Sequence, residues 1–155
     1  MILLVGRSGA GKSSQGAELS RRHPELKWIS IGEFLRQSRE PEVKKVISQG
    51  ELVNDRLTTE LVVGAINRLA PGQRPMLDGF PRRLNQVTQL ELMMPKLNRA
   101  VKYVFYIKVS LATAEKRLSQ RRRADDIPDA IKRRVEVFEA ETLPVIEYYR
   151  RSGVV

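Results

Sequence analysis

Residues 2–13 read Ile2-Leu3-Leu4-Val5-Gly6-Arg7-Ser8-Gly9-Ala10-Gly11-Lys12-Ser13, a branched apolar run followed at once by a complete G-x-x-x-x-G-K-S sequence. The apolar run suits a strand buried in a parallel sheet. Gly6, Gly9 and Gly11 permit a tight turn whose backbone N–H groups converge on an anion. A helix starting near Lys12 adds the partial positive charge of its N-terminus. In such a loop the lysine reaches the outer phosphates of a nucleotide and the serine hydroxyl faces a magnesium ion. Lys12 and Ser13 take those places here. The competing dinucleotide fingerprint, G-x-G-x-x-G, fails because its third glycine falls on Ser14.

Working outward, apolar strands alternate with helically periodic segments, the pattern of an α/β domain with a mostly parallel sheet. Helices are expected over residues 12–22, 33–38, 42–49, 55–69 and 111–122, with another marked by Val87, Leu90, Met94 and Leu97. Strands are expected at 27–30, 75–78 and 101–109, and 153–155 opens a last one. Ile131, Val135, Phe138, Val145 and Tyr149 fall on one side of a long final helix, which Pro144 should kink or split. The expectation is a single domain over residues 1–155, with three layers and a central parallel sheet of about five strands.

Composition narrows the setting. With 155 residues there is material for one core but not for two. No cysteine is present, which removes disulfides and cysteine-ligated zinc and favours a reducing cytoplasm. No stretch approaches the ~20 apolar residues of a membrane span, and no leader is visible before the first strand. The net charge of +10 allows solvated helix faces, nucleic-acid binding or a site for several phosphates. Aromatic residues are few and follow no stacking pattern, so no nucleic-acid partner is expected. Lys44, Lys45, Lys132 and Arg133 read as solvated faces, and His23, just before Pro24, as a surface helix end.

Asp78-Gly79-Phe80-Pro81-Arg82 follows the expected third strand. Ligands of open parallel sheets sit beyond the carboxyl ends of the strands, so Asp78 would lie beside the phosphate loop, where a carboxylate organises hydrated magnesium. With these motifs the chain resembles the adenylate kinase branch of the nucleoside monophosphate kinases, over nearly its whole length. The phosphate loop with Gln15, Ser30 to Arg36, Gly50 to Asp55, Asp78 to Arg82 with Gln86, and the series Arg117, Arg121, Arg123, Asp125, Asp126 and Arg134 carry the resemblance. Thr142-Leu143-Pro144 and Tyr148-Tyr149 are also similar to that family.

The resemblance implies transfer of a phosphoryl group from Mg·ATP to AMP, giving two ADP, in a monomer whose partners are those nucleotides. It implies ATP binding by Gly9, Ala10, Gly11, Lys12, Ser13, Ser14, Arg117 and Arg121, with Arg117 against the donor base. It implies AMP binding by Ile31, Arg36, Val53, Gly79, Arg82, Gln86, Arg123 and Arg134. Within that set Arg36 and Arg82 would grip the acceptor phosphate and Gln86 would read the adenine edge. Lys12, Arg82, Arg121, Arg123 and Arg134 would serve the transferring group, Ser13 and Asp78 would face Mg2+, largely through water, and Asp125 and Asp126 would support the closing segment. Such chemistry needs alignment and positive charge around equatorial oxygens rather than covalent help, and arginine forks suit it.

The chain departs from the family in five places. A single residue, Arg122, separates Arg121 from Arg123, where relatives have a lid, so a vestigial lid at about 121–124 and poor exclusion of water are expected. Ile31 stands where the branch has threonine, Asn54 where it has proline, which predicts a mild loosening, and Ser13-Ser14 where it has Gly-Thr. The chain ends at Val155, before the family's last loop and helix, so a truncated C-terminus is expected. The acceptor-binding segment is expected at about 31–60. Three other readings stand beside the leading one: a CMP or UMP kinase of the same fold, a P-loop kinase of a non-nucleotide metabolite, and a catalytically weak nucleotide-binding protein.

Overall fold

The computed structural model describes residues 1–121 and 123–155. Four strands, β1 (Ile2–Val5), β2 (Leu26–Ser30), β3 (Arg74–Asp78) and β4 (Tyr103–Tyr106), form one wholly parallel sheet in the order β2-β3-β1-β4. The sheet is therefore one strand narrower, among the described residues, than the five expected. The missing strand survives as a single contact: Val104 N–H donates to the Val154 carbonyl at 2.8 Å, and no regular ladder forms at residues 153–155. Strand β4 is also shorter than residues 101–109, with isolated bonds from Lys102 to Met1 and from Ile107 to Val5 extending it at either end.

Eight helices complete the chain among the described residues: α1 (Lys12–Arg22), α2 (Ile31–Gln37), α3 (Pro41–Ser48), α4 (Asp55–Asn67), α5 (Leu84–Met93), α6 (Leu111–Arg121), α7 (Pro128–Val137) and α8 (Leu143–Arg151). Arg122, the expected end of α6, lies outside the described residues. Side-chain alternation divides the sheet into two covered faces. Leu3, Val5, Leu77 and Val104 join Val87 and Leu90 of α5 and Val145, Ile146 and Tyr149 of α8 in the main core. Leu4 and Met76 point to the opposite face and are equally buried. Helix α1 packs against β1, β2 and β3. Each such aliphatic side chain contributes about 2 kcal/mol on burial, which makes the sheet a rigid platform for its loops.

The final helix is split, as the proline predicts, but by more than a kink. Between α7 and α8 runs a π-helical turn, Phe138–Thr142, in which the Leu143 N–H reaches back to the Phe138 carbonyl. Pro144 then sits in the first turn of α8, where its missing N–H costs nothing.

In the order β2-β3-β1-β4, the connections leaving β1 and β3 diverge to opposite sides, and a crevice opens between their carboxyl ends. The register pairs Leu4 with Asp78, which places the loop after Val5 beside the loop after Asp78. The two best-defined motifs are thus brought together by topology alone.

Candidate active site

The crevice widens into a cleft of about 300 Å³. One wall is the phosphate loop. Gly9 and Gly11 both adopt positive φ, at 80° and 99°, which only glycine takes without strain. A side chain at Gly9 would also strike the Ala114 carbonyl at 2.6 Å, so α6 presses directly on the loop from behind. Ala10 is buried, and its carbonyl accepts from Arg117 at 3.2 Å, with a weaker contact to Gly9 at 3.4 Å. Arg117 of α6 therefore braces the loop as well as lining the cleft. Ser8, Gly9, Gly11, Lys12, Ser13 and Ser14 form the rest of this wall.

Lys12 folds back on its own loop, donating to the carbonyls of Gly6 at 2.8 Å and Arg7 at 3.1 Å. Burial pushes its pKa down to about 8; Asp78 opposes that shift, while Arg82 and Arg121 add to it. The loop thus holds a cation poised to exchange carbonyl partners for an anion. The Ser13 hydroxyl donates to Asp78 at 2.8 Å, so the two oxygens expected at a metal already touch. No group of three or more His, Cys, Asp or Glu side chains that could hold a metal occurs among the described residues. An alcohol and one carboxylate suit a hard cation that keeps most of its water and takes phosphate oxygens as further ligands, as Mg2+ does.

Arginines dominate the opposite wall. Arg82 donates to the Gly79 carbonyl at 3.1 Å and lies deep in the cleft; burial lowers its pKa, Asp78 opposes this, and Arg134 lowers it further. Arg36 of α2 is half-buried, and burial together with Arg123 and Arg121 lowers its pKa against the pull of Asp125 and Glu33. Cations that destabilise one another in a cleft mark a place where an anion would be welcome. Arg121 forms a two-pronged pair with Asp126, at 2.8 and 2.7 Å. Arg134 of α7 holds Asp126 at 2.7 Å and also donates to Asp125. Burial disfavours the charge of Asp126, but these arginines outweigh it and keep its pKa below the usual carboxylate range. Asp125 and Asp126 are thus the struts that hold two arginines.

The helical arm that carries Arg36 leans on α7. Gly50 has φ 77°, and a side chain there would meet the Ala130 carbonyl at 2.4 Å. Arg134 reaches the Ile47 carbonyl at 3.4 Å. Arg133 is exposed as expected and from there pairs with Glu51 at 2.5 Å and with Glu136 at 2.9 Å. Lys44, Lys45 and Lys132 are exposed as expected. So is His23, at the end of α1.

Of the residues expected to bind nucleotide, Ser13, Ser14, Arg36, Val53, Gly79, Arg82, Gln86, Arg117, Arg121, Arg123 and Arg134 line one cleft with Lys12, Gly9, Gly11 and Asp78. Ile31 and Ala10 do not: Ile31 is 1% exposed and belongs to the main core, while its neighbours Ser30 and Gly32 face the cleft, and Ala10 is buried between the lining residues Gly9 and Gly11. Asn54 does more than replace a proline. Its side chain caps α4 by accepting from the backbone of Arg56 at 2.8 Å and Leu57 at 3.4 Å, which offsets the loosening expected there. Sequence reading missed Ser8, Ser30, Leu35, Ile47, Glu51, Leu52 and Thr58 as cleft residues. Leu35 could have been found, since it shares a helix face with Gly32 and Arg36 through i, i+3 and i+4 spacing.

Comparison with known proteins agrees with this geometry. Residues 4–154 match the family described as adenylate kinase. An adenylate kinase of Prochlorococcus marinus (strain MIT 9515) is 37% identical over 159 residues, covering 99% of this chain and 86% of its own length. One from Synechococcus sp. (strain WH7803) is 34% identical with the same coverage. A third, from Prochlorococcus marinus subsp. pastoris (strain CCMP1986 / NIES-2087 / MED4), is 36% identical over 96% of this chain and 83% of its own. With a phosphate loop facing a wall of arginines, and with sequence agreement along almost the entire chain, this protein belongs to the adenylate kinase family, the phosphotransferases that act on nucleoside monophosphates.

Proposed function

We propose that the protein transfers a phosphoryl group from ATP to AMP, reversibly, to give two ADP, by direct in-line displacement. The observation that carries this reading is the second cationic wall. A phosphate loop alone needs one nucleotide; Arg36 and Arg82 facing it across the cleft supply a grip for a second phosphate. Lys12 holds the donor's outer phosphates, Arg117 borders the donor base, and Gln86 reads the acceptor base. Arg121, Arg123 and Arg134 surround the group in flight, where one well-placed arginine is worth ~10³-fold or more in rate. Ser13 and Asp78 would face Mg2+, which, when bound with ATP, neutralises charge on the phosphate oxygens.

In this reading the chain is one catalytic unit over 1–155, the arm at about 31–60 binds the acceptor, and about 121–124 is the remnant of a lid. Arg122, in that remnant, lies outside the described residues. Among the described residues no helix is long and apolar enough to cross a membrane. On this reading the protein is a monomer, with small nucleotides as its partners, in a reducing cytoplasm, a setting that suits a chain without cysteine.

The test is ADP formation from ATP with AMP, CMP, UMP, GMP or dTMP, beside Lys12→Ala and Arg82→Ala. AMP is expected to be the preferred acceptor, with both variants crippled. Turnover confined to pyrimidine nucleotides would move the assignment to the CMP/UMP branch, and no turnover at all would leave a nucleotide-binding protein.

A further inference from the structure

Asp55 is the first residue of α4, a place where any acid favours a helix. Its carboxylate nevertheless turns across to α5. It accepts from the Gln86 amide nitrogen at 2.7 Å, from Asn85 at 3.1 Å and from Arg83 at 3.2 Å. The Gln86 amide oxygen in turn accepts from the Arg82 backbone N–H at 2.7 Å. Gln86 is 2% exposed, so neither of its two partners is exchanged for water at little cost.

The orientation of that amide follows from its partners. An ionised carboxylate only accepts and a backbone N–H only donates. Reversing the Gln86 amide would set N–H against N–H and oxygen against carboxylate. Burial disfavours the charge on Asp55, but the hydrogen bonds from Asn85, Gln86 and Arg83 outweigh it and hold its pKa below the usual carboxylate range. A primary amide has two N–H groups and two acceptor positions. The protein uses one of each, leaving one of each for the cleft that Gln86 lines.

We infer that Asp55 is a positioning residue that sets acceptor-base selectivity by locking the Gln86 amide, together with the Arg82 N–H, so that a fixed donor and a fixed acceptor face the base. Adenine answers that pair with a ring acceptor and an amino donor. Hypoxanthine reverses both groups and meets like with like. The inference rests on Gln86 reading the acceptor base, as proposed above.

The test compares binding of AMP and IMP by calorimetry, with kcat and the KM for ATP alongside, in the unaltered protein, Asp55→Ala, Asp55→Asn and Gln86→Ala. Asp55→Ala should lower the AMP-over-IMP binding preference about tenfold, the size of one hydrogen bond's discrimination. Most of that loss should lie in AMP affinity, with the KM for ATP unchanged. Asp55→Asn retains a carbonyl acceptor and should restore the preference to within about threefold. An unchanged preference in Asp55→Ala, with Gln86→Ala collapsing it, would overturn the role of Asp55 and leave Gln86 as reader. No change in either variant would overturn the reading of Gln86 itself. Should Asp55→Ala fail to fold, side-chain amide proton exchange in the unaltered protein decides. The Gln86 amide protons, identified by their absence in Gln86→Ala, should exchange at least about tenfold more slowly than those of exposed glutamines. Exchange as fast as theirs would show an unlocked amide and overturn the inference.

Discussion

On the phosphate-loop side of the cleft, the lining residues come from one short stretch, Ser8 to Ser14, joined by Arg117, and its shape is fixed by backbone conformation and by α6 pressing from behind. On the arginine side, α2, the loop after β3, α5 and α7 each supply a side chain: Arg36 from α2, Arg82 held by the Gly79 carbonyl of its own loop, Gln86 held by Asp55, and Arg134 held by Asp125 and Asp126. The first wall is a local structure whose shape is set by its own backbone. The second is an assembly whose accuracy depends on ion pairs and on how the helical arm rests against α7. A lesion in the first should therefore be severe and confined, whereas lesions in the second should be graded and should separate acceptor from donor effects.

The largest expected effect breaks the loop wall. Lys12→Ala should reduce kcat by roughly 10³-fold or more with little change in thermal stability, because a preorganised cation at the reacting phosphate is lost. Steady-state ADP formation and a melting curve check both parts.

Arg36→Ala comes next and sharpens the contrast. It should raise the KM for AMP by about 10²-fold while leaving the KM for ATP within a factor of about three, since a charge-assisted bond to one phosphate is removed. Equal effects on both substrates would mean that the two walls are not independent.

Gly50→Ala probes how the arm leans on α7. A β-carbon at φ 77° and 2.4 Å from the Ala130 carbonyl must move the arm, at a cost of about 2 kcal/mol in stability. Poorer AMP binding with unchanged ATP binding, measured by calorimetry, is the expected signature.

The pH dependence of ATP binding is a gentler test. Lys12 titrates near about 8 without nucleotide, because burial lowers its pKa. Its charge is present below that value and lost above it, so ATP affinity should weaken as pH rises through about 8. Binding there should take up a proton, seen as a dependence of the calorimetric heat on buffer ionisation.

The smallest effect is expected at Asn54. Removing the cap in Asn54→Ala should cost about 1 kcal/mol of stability in chemical denaturation and leave turnover nearly unchanged.

The same contrast explains what could be read from the sequence. Gly6 to Ser13 was legible because its chemistry demands consecutive residues at fixed spacing. Asp78 to Arg82 was legible as a motif, and the topology needed to bring it to the loop followed from the strand–helix alternation. Arg36, Gln86, Arg121, Arg123 and Arg134 were legible only through resemblance, since nothing local distinguishes them from the other arginines and glutamines of a chain with a net charge of +10. Contacts spanning long stretches of chain were not legible at all: the tie from Asp55 to Gln86, the pair of Arg133 with Glu51, and the burial of Ile31. The width of the sheet was overestimated because residues 153–155 have the right composition for a strand but make one ladder bond. Pro144 announced an interruption, but a π turn differs from a kink by a single hydrogen-bond register, which composition does not encode.

That turn, Phe138–Thr142, touches both walls. Arg7 of the phosphate loop lies 5.3 Å from the centre of the Phe138 ring, and the Thr142 hydroxyl donates to the Arg82 carbonyl at 3.1 Å. It also works as a phase shifter. A continuous α-helix would set the angle between Arg134 and Val145, Ile146 and Tyr149 by its regular period, whereas one wider turn offsets that angle, so that Arg134 of α7 meets the cleft while those three residues of α8 meet the core.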